Sequence, residues 1–285
     1  MMQRIKKICV QAAFGLLICL CTVESVCHAS SIKSIAVSVN PLVSIVQSIA
    51  GPETEVQPMV AAGRDPHTFE LSPGTMRMIA TADLLVFMHP KFEFWGEKLT
   101  LDAQERSLWL EGTASHNSHY DVHDWLDPIK VIGFAEKIKS KLCNINRSDC
   151  EIYQTNFEKL KEELRLLSED ITYRAGRWKK REFVADHPAW RAFAVRYGLI
   201  EVAVLRESEM KQITVKEMAA LIKMVTEKKV SIFISDAGGS SRISKSFLNE
   251  TGLAEVQLDS FGHPGESYTS MMQRNLAKME SAFAE

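Results

Sequence analysis

The sequence lacks the charge imbalance that several classes of function require. Its 285 residues include 34 lysines and arginines against 36 aspartates and glutamates, a formal net charge of -2. A nucleic-acid-binding surface needs a basic face, and a polybasic membrane anchor needs clustered cations. The composition supports neither, so we expect no nucleic-acid partner. The length suffices for one large domain or two modest ones.

Familiar catalytic motifs are also missing. The sequence contains no nucleophile elbow, no Walker loop and no His-Glu-x-x-His pair. The dipeptide Gly238-Gly239 is too little to indicate phosphate binding. The sequence thus carries none of these local catalytic signatures.

Long apolar runs are scarce, and the clearest one lies near the N-terminus. A basic start precedes an apolar stretch from Ile8 to about Cys21, which is shorter than the roughly 20 residues of a comfortable membrane span. We predict a secretory signal peptide over residues 1–29, cleaved after Ala29, and hence a periplasmic protein. A lipid anchor on Cys27 is less favoured, because the valine before it is bulkier than a lipobox tolerates.

Cysteine is rare outside this signal. Four of the six cysteines lie within residues 1–29, which leaves Cys143 and Cys150. In an oxidising compartment a close pair favours a disulfide. Two thiolate metal ligands are the alternative, but the tight Cys-x-x-Cys spacing is absent.

The remaining chain alternates strand and helix patterns on both sides of one long helix. The stretch from Cys150 to about Ala175 has no glycine or proline and would span roughly 35 Å as a helix. We predict an N-terminal α/β lobe over residues 30–150, a linking helix over 151–176 and a C-terminal α/β lobe over 177–285. The predicted fold is thus α/β, with two lobes of parallel-type sheets flanked by helices and joined by one long rigid helix.

Four candidate metal ligands lie just beyond predicted strand ends: His67, His123, His187 and Asp259. In open α/β sheets the binding crevice lies beyond the carboxyl ends of the strands. Three imidazoles and a carboxylate suit zinc, which is usually four-coordinate. Position alone is weak evidence, because His89 also follows a predicted strand.

Carboxylates lie beside two of these histidines in the sequence. Asp121 and Asp124 flank His123, and Asp186 precedes His187. A carboxylate that accepts the free ring proton would orient the imidazole toward a metal. We predict this role for one or more of the three.

Local motifs around the candidates resemble those of the zinc/manganese-type solute-binding proteins of ABC importers. The segment 66–70 (PHTFE) is similar to the family's first ligand loop, and segment 121–128 (DVHDWLDP) is close to its Asp-Pro-His-x-Trp-Leu-Asp-Pro motif. The segments 185–199 and 250–260 resemble the loops that carry the third and fourth ligands, and the terminal helix fits as well. The resemblance covers essentially the whole mature chain.

The resemblance implies a non-catalytic function and a ligand set. By it, His67, His123, His187 and Asp259 hold one transition-metal ion between two lobes bridged by a long helix. The protein would be a monomeric receptor that binds Zn²⁺ and delivers it to the permease of an ABC transporter. A manganese or iron receptor of the same family is the alternative. A zinc hydrolase and a metal-stabilised adhesin are alternative functions from outside this family.

Three departures from the family pattern stand out. Pro188 follows the third histidine where aspartate is usual, and His89-Pro90 stands where many members have Asn-Gly. The long histidine-rich loop of many zinc receptors is reduced to His116 and His119, which puts a scavenging role in doubt. Members that select manganese tend to have a carboxylate as third ligand, so His187 favours zinc.

Overall fold

The structure, a computed structural model, contains two parallel sheets with helices around them. It describes residues 32–61, 64, 66, 69–110, 122–206, 213–237 and 241–284. The predicted signal peptide lies outside these ranges. Within them, no helix is both long and apolar enough to cross a bilayer.

The first lobe contains a four-stranded parallel sheet in the order β2-β1-β3-β4. Its strands are β1 (Ser34–Val37), β2 (Glu55–Pro58), β3 (Leu84–Phe87) and β4 (Ser107–Trp109). The helices between them are α1 (Asn40–Ala50), α2 (Pro73–Thr81) and α3 (Phe94–Leu101). Every residue of β3 is buried, as its unbroken apolar run predicts for a parallel strand covered on both faces.

The second lobe repeats this arrangement with the order β6-β5-β7-β8, again parallel throughout. Its strands are β5 (Glu182–Ala185), β6 (Ile200–Val204), β7 (Ile232–Asp236) and β8 (Ala254–Leu258). Its helices, after the linking segment, are α6 (Arg191–Tyr197), α7 (Val215–Lys228), α8 (Arg242–Thr251) and α9 (Tyr268–Phe283). The predicted two-lobe α/β fold is confirmed.

Between the sheets run two helices, α4 (Pro128–Ile145) and α5 (Cys150–Ala175). The predicted long helix is confirmed as α5, and its apolar stripe from Tyr153 to Ile171 is buried. It packs against α1, α4 and α9. One hydrophobic core continues from the first sheet through α5 to the second sheet, which joins the lobes by apolar burial.

The order of the strands determines where side chains converge. In each sheet the second strand pairs with one edge of the first strand, and the third strand pairs with the opposite edge. Strands β1 and β3 are therefore neighbours, as are β5 and β7. Loops that follow such a pair diverge and leave a crevice at the carboxyl ends of the strands. Binding residues are therefore expected in the loops at this end of each sheet.

The loop after β8 is hydrogen-bonded across to the first lobe. The side-chain amide of Asn40 donates to the carbonyl oxygens of Phe261 and His263 at 3.0 and 3.2 Å. The indole N–H of Trp125 donates to the carbonyl oxygen of Ser260 at 2.8 Å. Segment 259–263, although it follows a strand of the second sheet, is thus attached to both lobes.

A disulfide joins Cys143 near the end of α4 to Cys150 at the start of α5, as predicted. The bond closes a loop of eight residues that contains the short 3-10 helix Arg147–Asp149. Replacing both cysteines by serine should lower the free energy of unfolding by about 2.5 kcal/mol, because the unfolded chain regains the entropy of the open loop. Urea unfolding of the double variant and of the oxidised parent measures this loss, and equal midpoints would contradict it.

Candidate metal centre

His187 lies at the carboxyl end of β5, one of the two central strands of the second sheet. It precedes the 3-10 helix Pro188–Trp190, whose proline cannot continue the strand ladder. Trp190 is buried and packs edge-on against Phe193, which fixes the start of α6. The His187 side chain is mostly buried, with 11% of its surface exposed.

His123 comes from the first lobe and lies just before the 3-10 helix Asp124–Leu126. Its ring is buried and meets two aromatic rings edge-on, Trp125 at 5.1 Å and Phe92 at 5.8 Å between centroids. Trp125 is fully buried and its indole is also bonded across to segment 259–263. This packing leaves the imidazole of His123 little freedom to rotate.

The structure brings these two histidines together from opposite lobes. Their Nε2 atoms lie 3.3 Å apart, and their rings are inclined at 74°. Two imidazole nitrogens bound at about 2.0–2.1 Å to one tetrahedral zinc ion lie roughly 3.3 Å apart. The same spacing also suits a hydrogen bond between the rings in the metal-free protein. The pair is therefore set at the separation that a shared zinc ion requires.

A carboxylate of the neighbouring strand orients His187. Nδ1 of His187 lies 2.6 Å from Oδ2 of Asp236, the last residue of β7. Burial alone would raise the pKa of Asp236, but the hydrogen bond from His187 and the charges of both histidines outweigh it and lower the pKa. Because Asp236 accepts the proton on Nδ1, Nε2 of His187 faces His123 and, in the neutral ring, carries the lone pair that a metal ion needs.

Asp236 takes the role that we predicted for a flanking carboxylate. Asp186 instead accepts hydrogen bonds from Arg206 and from the hydroxyl of Ser244, so the prediction was wrong for this residue. Asp124 pairs with Lys130, and Asp121 lies outside the described residues. Neighbours in an extended chain point to opposite sides, which is why Asp186 turns away from the ring that follows it.

Asp259 follows β8 and is almost fully buried. Oδ1 accepts hydrogen bonds from the backbone N–H groups of Phe261 and Gly262, at 3.0 and 2.8 Å. Oδ2 lies 2.8 Å from Nη2 of Arg274. Burial would raise the pKa of Asp259, but the hydrogen bonds from Arg274 and the two N–H groups keep it below its ordinary value.

The described residues thus bring together two of the four predicted ligands. Their compact group of three metal-capable side chains consists of Asp259, His263 and Glu266, rather than Asp259 with the two histidines. His67 lies outside the described residues, and so do His116 and His119. The four-ligand set remains a prediction.

Glu93 is a fully buried carboxylate at the equivalent crevice of the first lobe. It accepts hydrogen bonds from the backbone N–H groups of Met88 and His89, directly after β3. Burial nevertheless dominates and raises its pKa to about 7, although the hydrogen bonds from the two N–H groups act in the opposite direction. The His89 side chain is also buried, and its backbone N–H is one of the two donors to Glu93, so we read His89 as a structural residue rather than a metal ligand.

This raised pKa predicts a pH-dependent stability. The neutral carboxyl is the form that the folded protein prefers, so its stabilising contribution is complete below pH 4.5 and is lost as pH rises through about 7. Relative to Glu93→Gln, the parent should lose about 3 kcal/mol of unfolding free energy between pH 4.5 and pH 8. Urea unfolding in the presence of chelator at several pH values measures the difference. His89, whose pKa burial lowers, is present in both proteins, and a difference independent of pH would refute the prediction.

Comparison with known proteins identifies the family. The sequence model of ZnuA, described as the periplasmic component A of the zinc-uptake complex, matches residues 35–282. The chain belongs to this family. The match covers both sheets, α5 and the paired histidines.

Curated relatives and a solved structure match the chain at low identity. The zinc-binding lipoprotein AdcA of Streptococcus pneumoniae is 24% identical over 268 residues, which cover 84% of this chain and 54% of AdcA. The metal ABC transporter substrate-binding lipoprotein SloC of Streptococcus mutans is 24% identical over 279 residues, covering 89% and 91%. A crystal structure of ZnuA superposes with a TM-score of 0.78 at 21% identity, covering 88% of this chain and 99% of that one. The chain spans about half the length of AdcA.

Proposed function

We propose that this protein is an extracytoplasmic receptor that binds one Zn²⁺ ion between its lobes and delivers it to the membrane permease of an ABC importer. The observation that carries the proposal is the 3.3 Å separation of the Nε2 atoms of His123 and His187. Each histidine belongs to a different lobe, so one ion bound by both would tie the lobes together. Membership in the family adds transport as the purpose of this binding.

We assign metal binding to His67, His123 and His187. The first of these rests on the resemblance of its loop, and the other two rest on geometry as well. Asp259, the fourth predicted ligand, follows a strand of the sheet that also positions His187, but its carboxylate is paired with Arg274. Imidazole nitrogen suits zinc better than manganese, and neutral histidine is available near neutral pH.

The same proposal includes the cellular location of the protein and the boundaries of its segments. Relatives named as lipoproteins, and a family described as periplasmic, support a place outside the cytoplasm. We assign residues 1–29 to a cleaved signal peptide, 30–150 and 177–285 to the two lobes, and 151–176 to the linking helix. The receptor is proposed to act as a monomer, because both halves of the histidine pair come from one chain.

Native mass spectrometry with elemental analysis of the mature protein tests the proposal. We expect one zinc ion per chain and, in competition, a preference for Zn²⁺ over Mn²⁺. The chelator-treated protein should remain folded in a thermal melt, since the continuous core does not depend on metal. A chain without bound metal, or one that selects manganese, would contradict the zinc receptor, and unfolding on chelation would indicate a structural ion instead.

A further inference from the structure

Arg274 forms an ion pair with Asp259, the residue that the sequence predicts as the fourth ligand. It extends from α9, and its Nη2 lies 2.8 Å from Oδ2 of Asp259 and 2.8 Å from Oε2 of Glu266. Its Nε donates to Oε1 of Glu266 at 3.0 Å. One guanidinium thus bridges two carboxylates, and such charge-assisted, partly bidentate bonds are the strong ones.

The rest of Asp259 is bound just as completely. Oδ1 accepts two backbone N–H groups, which fills the two lone pairs of that oxygen. The backbone N–H and carbonyl of Asp259 are both bonded to the side-chain amide of Asn275, at 2.8 and 2.7 Å. Rotating the carboxylate toward a metal would therefore break several bonds and leave Arg274 with one partner fewer.

We propose that Arg274 is a specificity-determining residue that keeps Asp259 out of the metal's coordination sphere. The inference rests on the proposed function, and it concerns the chemistry of the ligand set. With the charge of Asp259 neutralised by a guanidinium, the ion binds the imidazoles of His123 and His187 without a carboxylate from the loop after β8. A nitrogen-rich set selects Zn²⁺, whereas carboxylate oxygens suit Mn²⁺.

Removing the guanidinium should therefore change selectivity. In Arg274→Gln the carboxylate of Asp259 is released from its cation and can reach the ion. We expect Mn²⁺ affinity to rise at least tenfold relative to Zn²⁺ affinity, and we expect this gain to vanish in Arg274→Gln/Asp259→Asn. Asp259→Asn alone, which retains an oxygen for the two N–H groups, should change the Zn²⁺ dissociation constant by less than threefold.

The measurements are competition titrations of the chelator-treated full mature chain with Zn²⁺ or Mn²⁺ alone, alongside thermal melts. Arg174→Gln is the matched control, because Arg174 pairs with Glu280 on the same helix α9. A loss of Zn²⁺ affinity beyond threefold in Asp259→Asn would overturn the inference, since that carboxylate would then be a ligand in the wild type. If Arg274→Gln unfolds, this Asp259→Asn result decides alone.

A metal selectivity unchanged within threefold in folded Arg274→Gln would also overturn the inference. The zinc content of the wild type is determined on the same preparations. A wild type that binds one zinc, but loses it in Asp259→Asn, refutes the role of Arg274 and leaves the receptor function standing. A wild type that binds no zinc refutes both.

Discussion

His123→Ala/His187→Ala should lose the single zinc ion that we propose for this site. Structural zinc sites with four ligands contribute on the order of 10–16 kcal/mol, or roughly 3 kcal/mol for each ligand. Loss of two ligands should thus weaken zinc affinity by at least about a thousandfold. Isothermal titration with a competing chelator measures the affinity, and native mass spectrometry gives the stoichiometry. A thermal melt of the chelator-treated variant checks that the fold persists, because the buried His123 ring packs against Phe92 and Trp125 of the core.

His263→Ala is the matched control for this prediction. His263 is exposed and its Nε2 lies 3.8 Å from Oδ2 of Asp259, within the compact group of Asp259, His263 and Glu266. If that group held the ion, the control would lose zinc and the double variant would keep it. Retention of one zinc per chain by His123→Ala/His187→Ala would remove the basis of the proposed function.

Asp236→Ala should weaken zinc affinity by about 10- to 100-fold, the usual cost of losing a carboxylate that orients a ligating histidine. The 2.6 Å contact from Asp236 to Nδ1 fixes the ring and its tautomer. Asp236→Asn keeps an acceptor but removes the charge, so we expect a smaller loss. Competition titration gives the affinities, and ¹⁵N imidazole shifts of His187 report the tautomer, which a merely structural role would leave unchanged.

Ser235→Ala is the control for strand β7. Ser235 adjoins Asp236 but its hydroxyl bonds to Glu255, away from the histidines. It should leave both zinc affinity and the tautomer of His187 unchanged. Equal effects of Ser235→Ala and Asp236→Ala would show that the strand matters only for stability.

The sequence predicted the fold well because its local signals agree with one another. An uninterrupted stripe of apolar residues, without glycine or proline, marks α5 from Cys150 to Ala175, and the structure has these bounds. The apolar strands were located to within a few residues. Helix α3 and strand β4 were not predicted. The apolar residues of Phe94–Leu101 are not gathered on one face of the helix, and Ser107–Trp109 is only three residues long.

The site was less accessible to sequence reasoning, because it depends on contacts between distant segments. The histidine pair was anticipated from motifs, but the partner of His187 was sought beside it in the chain. Asp236 lies 49 residues further on and adjoins His187 only because β5 and β7 pair in the sheet. The rule that selected Asp259, a polar residue at a strand end, would also have found Asp236. No local signal points to the bond between Arg274 and Asp259.

The attachment of segment 259–263 to the first lobe bears on how a bound ion would leave the proposed receptor. Three hydrogen bonds from Asn40 and Trp125 must break before the lobes can separate there. At about 1 kcal/mol each they would hold the open form to roughly 1% of the empty protein. In the proposed receptor, unaided release of the ion would then be slow, and a permease that competes for these carbonyl oxygens on docking would determine when the ion leaves.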